Sequence, residues 1–351
     1  MKTTYFLGAG ASYNAIPTVG ELDKAFKNIC DQLYGLRSSF LDSVSSSQFG
    51  TFEKFMKICS KESTRFGTID TFAKHLWLID SNDLKDLKLS LSLFFTLWQE
   101  LDKGHFSKEI RRDWFEDIDH RYLGLFANYL EKRNGNISLN YDVKFITWNY
   151  DTQIERALAL LIGSNSTERA LDKFNVYPYK YDSSNSNPNI VHLNGIAGLY
   201  AEHSKNETHA IFDKTSPNNN LLDILQKVLY TVNSSYTNNR YFTFAWEDDP
   251  FSIDAISHAT SILKETEILV IIGYSFPTFN DEVDKRLMKT LKESNKFRRV
   301  YYQDPNANKE LLLARFGIPE NKITIVKDIN QFVLPLDSHS INPPPGLFEV
   351  L

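Results

Sequence analysis

The sequence predicts an α/β protein with a doubly wound parallel sheet and a large helical insertion near its start. Three observations lead there. Short β-branched and aromatic runs recur, each ended by glycine or a polar residue. Segments of helical periodicity separate them, the alternation that builds a parallel sheet covered on both faces. Between the first run and the second, more than a hundred residues carry helical periodicity alone.

The first run, residues 3–7, reads as a short buried strand stopped by Gly8. From about Glu21 to Arg133 the period changes. Leu22, Ala25, Phe26, Ile29, Leu33 and Leu36 recur at helical spacing, and 52–60, 69–79, 86–101 and 121–132 repeat the pattern. Strand character returns at 143–149, 190–194 and 267–274. The last of these, EILVIIGY, is an unbroken apolar run that suits a central parallel strand. Two further strands are expected at 299–303 and 323–327, and helices at 151–162, 221–233, 254–264, 281–293 and 308–316. Asn- and Ser-rich stretches at 183–189 and 216–220 read as loops. The expected division is a Rossmann-like core of 1–20 and 140–335, a helical insertion of 21–139, and a C-terminal tail of 336–351.

The bulk properties exclude several classes. A net charge of −5 over 351 residues speaks against a protein devoted to nucleic acid, and no direct nucleic-acid binding is expected. Two cysteines, Cys30 and Cys59, cannot build a disulfide framework or a four-cysteine zinc site, and a reducing cytoplasm is the expected compartment. His203 and His209 lack ligand spacing, so no metal is expected. Lys2 and the following apolar stretch faintly resemble a secretory signal, but the apolar core is short and broken by glycine. No run approaches the roughly 18 apolar residues of a membrane span.

The chemistry concentrates at strand ends. Gly8-Ala9-Gly10-Ala11-Ser12 follows the first strand, a layout in which small residues admit a pyrophosphate to the backbone. Tyr13 stands where a third fingerprint glycine would be, so a plain tight turn after an edge strand is the competing reading. Thr147–Asp151 (TWNYD) joins a strand to a helix. Asp151 could simply cap that helix, whereas the amide of Asn149 at the end of an apolar strand wants a partner. Gly273–Pro277 (GYSFP) closes the central strand and is no hydrolase elbow, because Pro277 replaces the glycine required two residues after Ser275. Asp281 and Asp304 lie near strand ends as possible ribose or adenosine contacts, and Glu247-Asp248-Asp249 reads as a solvated loop or cap.

These segments together resemble the sirtuin family, most closely its prokaryotic sirtuin-like branch of antiviral defence. The matching pieces are GAGAS with Ile16-Pro17, TWNYD, GYS, and HLNG at 192–195 where the family has L-H-G. The resemblance implies NAD as the substrate. It places Gly8, Ala9, Gly10 and Ser12 near the phosphates, Asn149 and Asp151 beside the nicotinamide ribose, Gly273 and Ser275 along the other ribose, and Asp304 near adenosine. Asn149, Asp151 and His192 are the catalytic candidates. Asn194 occupies the position of the family's histidine. His192, two residues earlier and on the same face of a 190–194 strand, could supply the imidazole or be an ordinary buried histidine. The implied activity is NAD glycohydrolysis without a metal, in a homo-oligomer that could work with a HerA-like ATPase. The alternative is a non-catalytic NAD- or ADP-ribose-binding subunit.

Overall fold

The computed structural model describes residues 1–40, 46–100, 116–164, 166–179, 187–202, 207–210, 237–238 and 242–335. The expected helix at 221–233, the loop at 216–220, most of the loop at 183–189, His203 and the tail at 336–351 lie outside them.

Strand β1 (Thr3–Leu7) leads through a short 3-10 turn (Ala9–Ser12) to helices α1 (Leu22–Phe40), α2 (Ser46–Phe66), α3 (Ile69–Leu78) and α4 (Asp83–Glu100). Then come α5 (His120–Tyr129), a hairpin of β2 (Leu130–Arg133) and β3 (Asn136–Leu139), and β4 (Val143–Thr147). The chain continues through α6 (Gln153–Leu161), α7 (Thr167–Lys173), β5 (Val176–Tyr177) and β6 (Ile190–His192) to the short strands β7 (Leu199–Glu202), β8 (Glu207–Ala210) and β9 (Thr237–Asn238). It closes with α8 (Pro250–Glu265), β10 (Ile268–Ile272), α9 (Asp281–Glu293), β11 (Arg299–Gln303), α10 (Lys309–Phe316) and β12 (Ile323–Val326).

The main sheet has seven strands in the order β12-β11-β10-β1-β4-β6-β5, every neighbouring pair parallel. β1 is central, which removes the reading of the GAGAS stretch as a turn after an edge strand. Alternate residues of each strand feed opposite cores, as a two-residue period requires. Tyr5, Leu7, Phe145, Val270 and Ile272 pack under α5, α6 and α7. Phe6, Ile146, Val191, Leu269 and Ile271 pack under α8, α9 and α10. The sheet is therefore doubly wound, as the alternation of patterns predicts. No described helix is long and apolar enough to cross a membrane.

The inserted helices divide differently from the sequence expectation. α1–α4 form a lobe with its own core around Phe26, Met56, Phe94 and Trp98. α5 instead covers the sheet: Phe126 meets the Phe145 ring at 5.1 Å, and the hydroxyls of Tyr5 and Tyr129 are 3.0 Å apart. The helix expected at 121–132 stops at Tyr129, because Asn134-Gly135 folds the next residues into a hairpin. Both carry positive φ, 51° and 82°, the turn geometry that matches the twist of paired strands.

Candidate functional site

The carboxyl ends of the central strands are aligned. Leu7 is in register with both Thr147 and Ile272, and Thr147 with His192. From β1 the chain passes to β4, on to the edge strand β5 and back to β6 between them, and later runs outward through β10, β11 and β12 on the other side. The reversal lies between β1 and β10, and in open α/β sheets the crevice outside such a switch point receives the ligand. Residues 8–12, 148–151, 193–195 and 273–277 all emerge there.

Glycine in the first loop is required by packing against the last. A Cβ on Gly10 would fall 2.8 Å from the Gly273 Cα, and one on Gly8 2.5 Å from the Tyr274 ring. Gly273 has φ +58°, and its own Cβ would lie 2.3 Å from the Gly10 carbonyl carbon. The amides of Gly8, Gly10 and Ala11 donate to the carbonyls of Ile272, Gly273 and Gly8 at 3.0, 2.9 and 2.9 Å. Those three N–H groups are thus committed within the protein, so at Gly8 and Gly10 a nearby phosphate would meet close, small backbone rather than free amides. Ala9 and Gly273 do face the cavity. Phe276 also has positive φ, 55°, an uncommon conformation for a bulky residue, which holds the 273–277 turn in a strained shape.

Ser12 links the two polar residues of the TWNYD segment. The Asn149 Nδ2 donates to Ser12 Oγ at 3.2 Å, and Ser12 Oγ donates to Asp151 Oδ1 at 3.1 Å. The same carboxyl oxygen accepts the amide of Gln153, the first residue of α6, at 3.0 Å, while Thr152 holds the N-cap position. Burial pushes the Asp151 carboxyl up to about 6, against the opposing pull of the Gln153 and Ser12 hydrogen bonds. Asp151 is ionised but poised near neutrality, a suitable state for a base.

His192 and Asn194 go to different places. β6 ends at His192, and Gly195 at φ 86° turns the chain, so the two-residue alternation assumed for 190–194 breaks between them. His192 is fully buried on the α6 face and does not line the cavity. Its Nδ1 donates to the Asn149 carbonyl at 3.1 Å, and its Nε2 is 2.9 Å from the buried Glu155 Oε1. Burial alone would lower its pKa, but Glu155, the Asn149 carbonyl and Asp151 outweigh that and raise it. With acceptors at both nitrogens, the imidazolium paired with the Glu155 carboxylate is the fitting form. Asn194, 7% exposed, does line the cavity, and its Oδ1 has no hydrogen-bond partner among the described residues.

The crevice opens into a cavity of about 450 Å³ between the sheet edge and the helical lobe. That lies within the roughly 300–1,000 Å³ typical of small-molecule sites. Ile16 and Pro17 form part of its wall, as do Phe95, Trp148, Phe244 and Trp246. Asn149, Asp151, Asn194 and Ser275 give it polar points. Beneath the 273–277 turn, Asp284 accepts the Tyr274 hydroxyl at 2.9 and 3.1 Å, and burial pushes its carboxyl to about 7.

Two anticipated contacts lie elsewhere. Asp304 does not line the cavity; its Oδ1 accepts the Asn306 amide at 2.7 Å and closes a local turn. Asp281 pairs with Lys285 at 2.7 Å and Arg315 at 2.8 Å, also off the cavity. In the acidic triplet, Asp249 caps α8 through the Ser252 amide, and Glu247 pairs with Lys88 of the lobe at 2.9 Å.

Several supporting residues gave no sequence signal. Arg121 donates to the carbonyls of Gly10 and Ala11 at 3.2 Å each while paired with Asp119 at 2.6 Å. Asp119 in turn accepts the Asn14 amide at 3.2 Å, clamping the first loop from outside. Asp70, at the start of α3, projects onto the cavity from the lobe. These residues are distant in sequence from any motif, and only the fold brings them in.

No family model matches the chain, and no curated protein matches it. Among solved structures, a serine-to-alanine variant of a Sir2 homologue in complex with ADP-ribose aligns at a TM-score of 0.39 and 12% identity, covering 88% of this chain and 82% of that one. A histidine-to-asparagine variant of a Sir2 homologue, also with ADP-ribose, gives 0.39 and 13% over 88% and 82%. A structure of the Sir2 enzymes gives 0.39 and 12% over 93% and 86%. These are loose likenesses.

Proposed function

We propose that the chain binds NAD at the switch-point crevice and hydrolyses it to nicotinamide and ADP-ribose. The observation that carries the reading is the Asn149–Ser12–Asp151 chain of hydrogen bonds opening on an aromatic cavity. In the reaction the bond between ribose C1′ and the pyridinium nitrogen breaks, its electron pair neutralising the ring. The Asp151 carboxylate stabilises the cationic ribose and takes a proton from the water that adds to C1′. Asn149 fixes the Ser12 hydroxyl, which keeps the carboxylate oriented. His192 is a positioning residue, acting on the Asn149 backbone and not on substrate.

The motif resemblance extends this reading to an anti-phage effector that depletes NAD in the cytoplasm, as a homo-oligomer with a HerA-like ATPase or another defence partner. A second reading, a non-catalytic NAD- or ADP-ribose-binding subunit, is favoured by one observation: none of the described residues lining the cavity is a histidine. Incubating purified protein with NAD and following nicotinamide and ADP-ribose separates the two. Release of both, lost in Asn149→Ala, supports hydrolysis; saturable binding without release supports the second reading. Absence of both binding and release refutes both.

A further inference from the structure

Helix α5 meets the first loop with two consecutive side chains. Arg121 holds the carbonyls of Gly10 and Ala11 at 3.2 Å each. Tyr122 reaches the side chain of Ser12 instead. Its hydroxyl lies 3.4 Å from Ser12 Oγ and has no other hydrogen-bond partner among the described residues. The tyrosine is fully buried, its ring edge-on to Phe332 at 5.0 Å and stacked on Phe126 at 6.2 Å. A phenylalanine would make those ring contacts equally well. The hydroxyl is what packing leaves unexplained.

A serine hydroxyl donates one hydrogen bond and accepts two. Ser12 accepts one from the Asn149 Nδ2 at 3.2 Å and donates one to Asp151 Oδ1 at 3.1 Å. Its second acceptor position remains, and the Tyr122 hydroxyl is the donor in reach. Burial raises the phenol well above its ordinary pKa, so it keeps the proton it would donate. The opposite sense fails the count. If Ser12 gave its proton to Tyr122, Asp151 Oδ1 would lose that donor, and the phenol's own hydrogen would have no acceptor in a fully buried place.

Asn149 alone does not settle the direction, because a hydroxyl with a free acceptor position can still turn its proton away from the carboxylate. With both positions filled, only the direction toward Asp151 is left. Asp151 Oδ1 then carries the Ser12 and Gln153 hydrogen bonds, and Oδ2 makes none among the described residues. The charged groups nearby are Asp119 and Arg121 beside the phenol, and Glu155 and His192 beside Asp151. None of the four bonds the Ser12 hydroxyl.

We propose that Tyr122 is a positioning residue: its hydroxyl fills the last acceptor position of Ser12, commits the serine proton to Asp151 Oδ1, and so leaves Asp151 Oδ2 for the reacting water. The proposal rests on the NAD reading for the reaction that this orientation serves.

The test is a double-mutant cycle on NAD turnover with Tyr122→Phe, Ser12→Ala and the pair together. A separation of 3.4 Å is long for two hydroxyls, so Tyr122→Phe should lower kcat by only on the order of threefold to tenfold, with KM little changed. In the Ser12→Ala background the same change should cost less than about twofold, since the hydroxyl it acts on is gone. A Ser12 hydrogen bond no longer aimed stabilises the carboxylate less, so the acid limb of the kcat/KM profile should move to higher pH in Tyr122→Phe. An unchanged kcat, an unmoved acid limb, or an equal cost in both backgrounds would overturn the proposal. A lower melting temperature with parent kinetics would reduce Tyr122 to packing and overturn it as well. If the parent protein releases no nicotinamide, the NAD reading fails, and the Asp151 carboxyl decides the orientation by itself. Its carbon-13 resonance, assigned with Asp151→Asn, should titrate at higher pH in Tyr122→Phe than in the parent; identical titrations refute the role of Tyr122.

Discussion

Replacing Asp151 with asparagine should make the protein inactive and more stable. Folding moves this carboxyl from an ordinary 3.8 to about 6, with burial as the leading cause. At 1.36 kcal/mol per tenfold change, keeping it ionised in the folded state costs about 3 kcal/mol. The folded state holds its proton more tightly than the unfolded chain, so this cost is absent below about pH 4 and complete above about pH 7. The substituted side chain keeps an acceptor for the Ser12 hydroxyl and the Gln153 amide but never ionises. Urea unfolding of parent and Asp151→Asn should therefore coincide near pH 4 and diverge by about 3 kcal/mol near pH 8, the variant being the more stable. NAD turnover should fall on the order of a hundredfold to ten-thousandfold, the usual loss for an acid–base group. A stability difference that stays flat with pH, or a parent protein that is the more stable near pH 8, would refute the account of Asp151 as a desolvated carboxylate.

The other expectations use the same assays. Asn149→Ala removes one buried hydrogen bond to Ser12, worth about 1 kcal/mol, and should eliminate turnover while leaving melting nearly unchanged. His192→Ala leaves the buried Glu155 without its cation and should cost about 3–5 kcal/mol, with a smaller loss of rate per folded molecule than Asn149→Ala; a normal melting temperature refutes the pairing. Because the His192 pKa is raised, its stabilising contribution is full below about pH 6.5 and fades as pH rises through the folded value, so the gap between parent and His192→Ala should narrow at alkaline pH. Gly273→Ala places a methyl 2.3 Å from the Gly10 backbone at φ +58° and should prevent stable folding, seen as loss of the cooperative thermal transition. Asp304→Ala, in contrast, should leave NAD turnover unchanged.

Much of the architecture was legible because it depends on local patterns. The unbroken apolar run at 267–274 could only be a strand covered on both faces, and it became β10 beside the central β1. The positions of Asn149, Asp151 and Gly273 at strand ends followed from the same reading. What failed was local geometry within one or two residues. The alternation that would bring His192 to the cavity required a strand through residue 194, but Gly195 turned the chain and delivered Asn194 instead. Gly8 and Gly10 were recognisable as special, but not why: the reason is the backbone of Gly273, more than 260 residues away in sequence. Asn134-Gly135 was a readable hairpin signal that the helical periodicity around it concealed. Asp70 and Arg121 carried no signal, since only the packing of the lobe and of α5 against the sheet brings them to the cavity and to the first loop.

Helix α4 reaches each of the first three loops of the crevice. Trp98 donates its indole N–H to the Ala15 carbonyl at 3.0 Å, Gln99 Oε1 accepts the Thr152 amide at 2.8 Å, and Ser92 Oγ accepts the Gly198 amide at 3.0 Å. One rigid rod is therefore pinned to the chain after β1, after β4 and after β6. The relative placement of the three loops is thus set in part by one element rather than by each loop alone. A substitution that displaces α4 would accordingly disturb the chain after β1, after β4 and after β6 together.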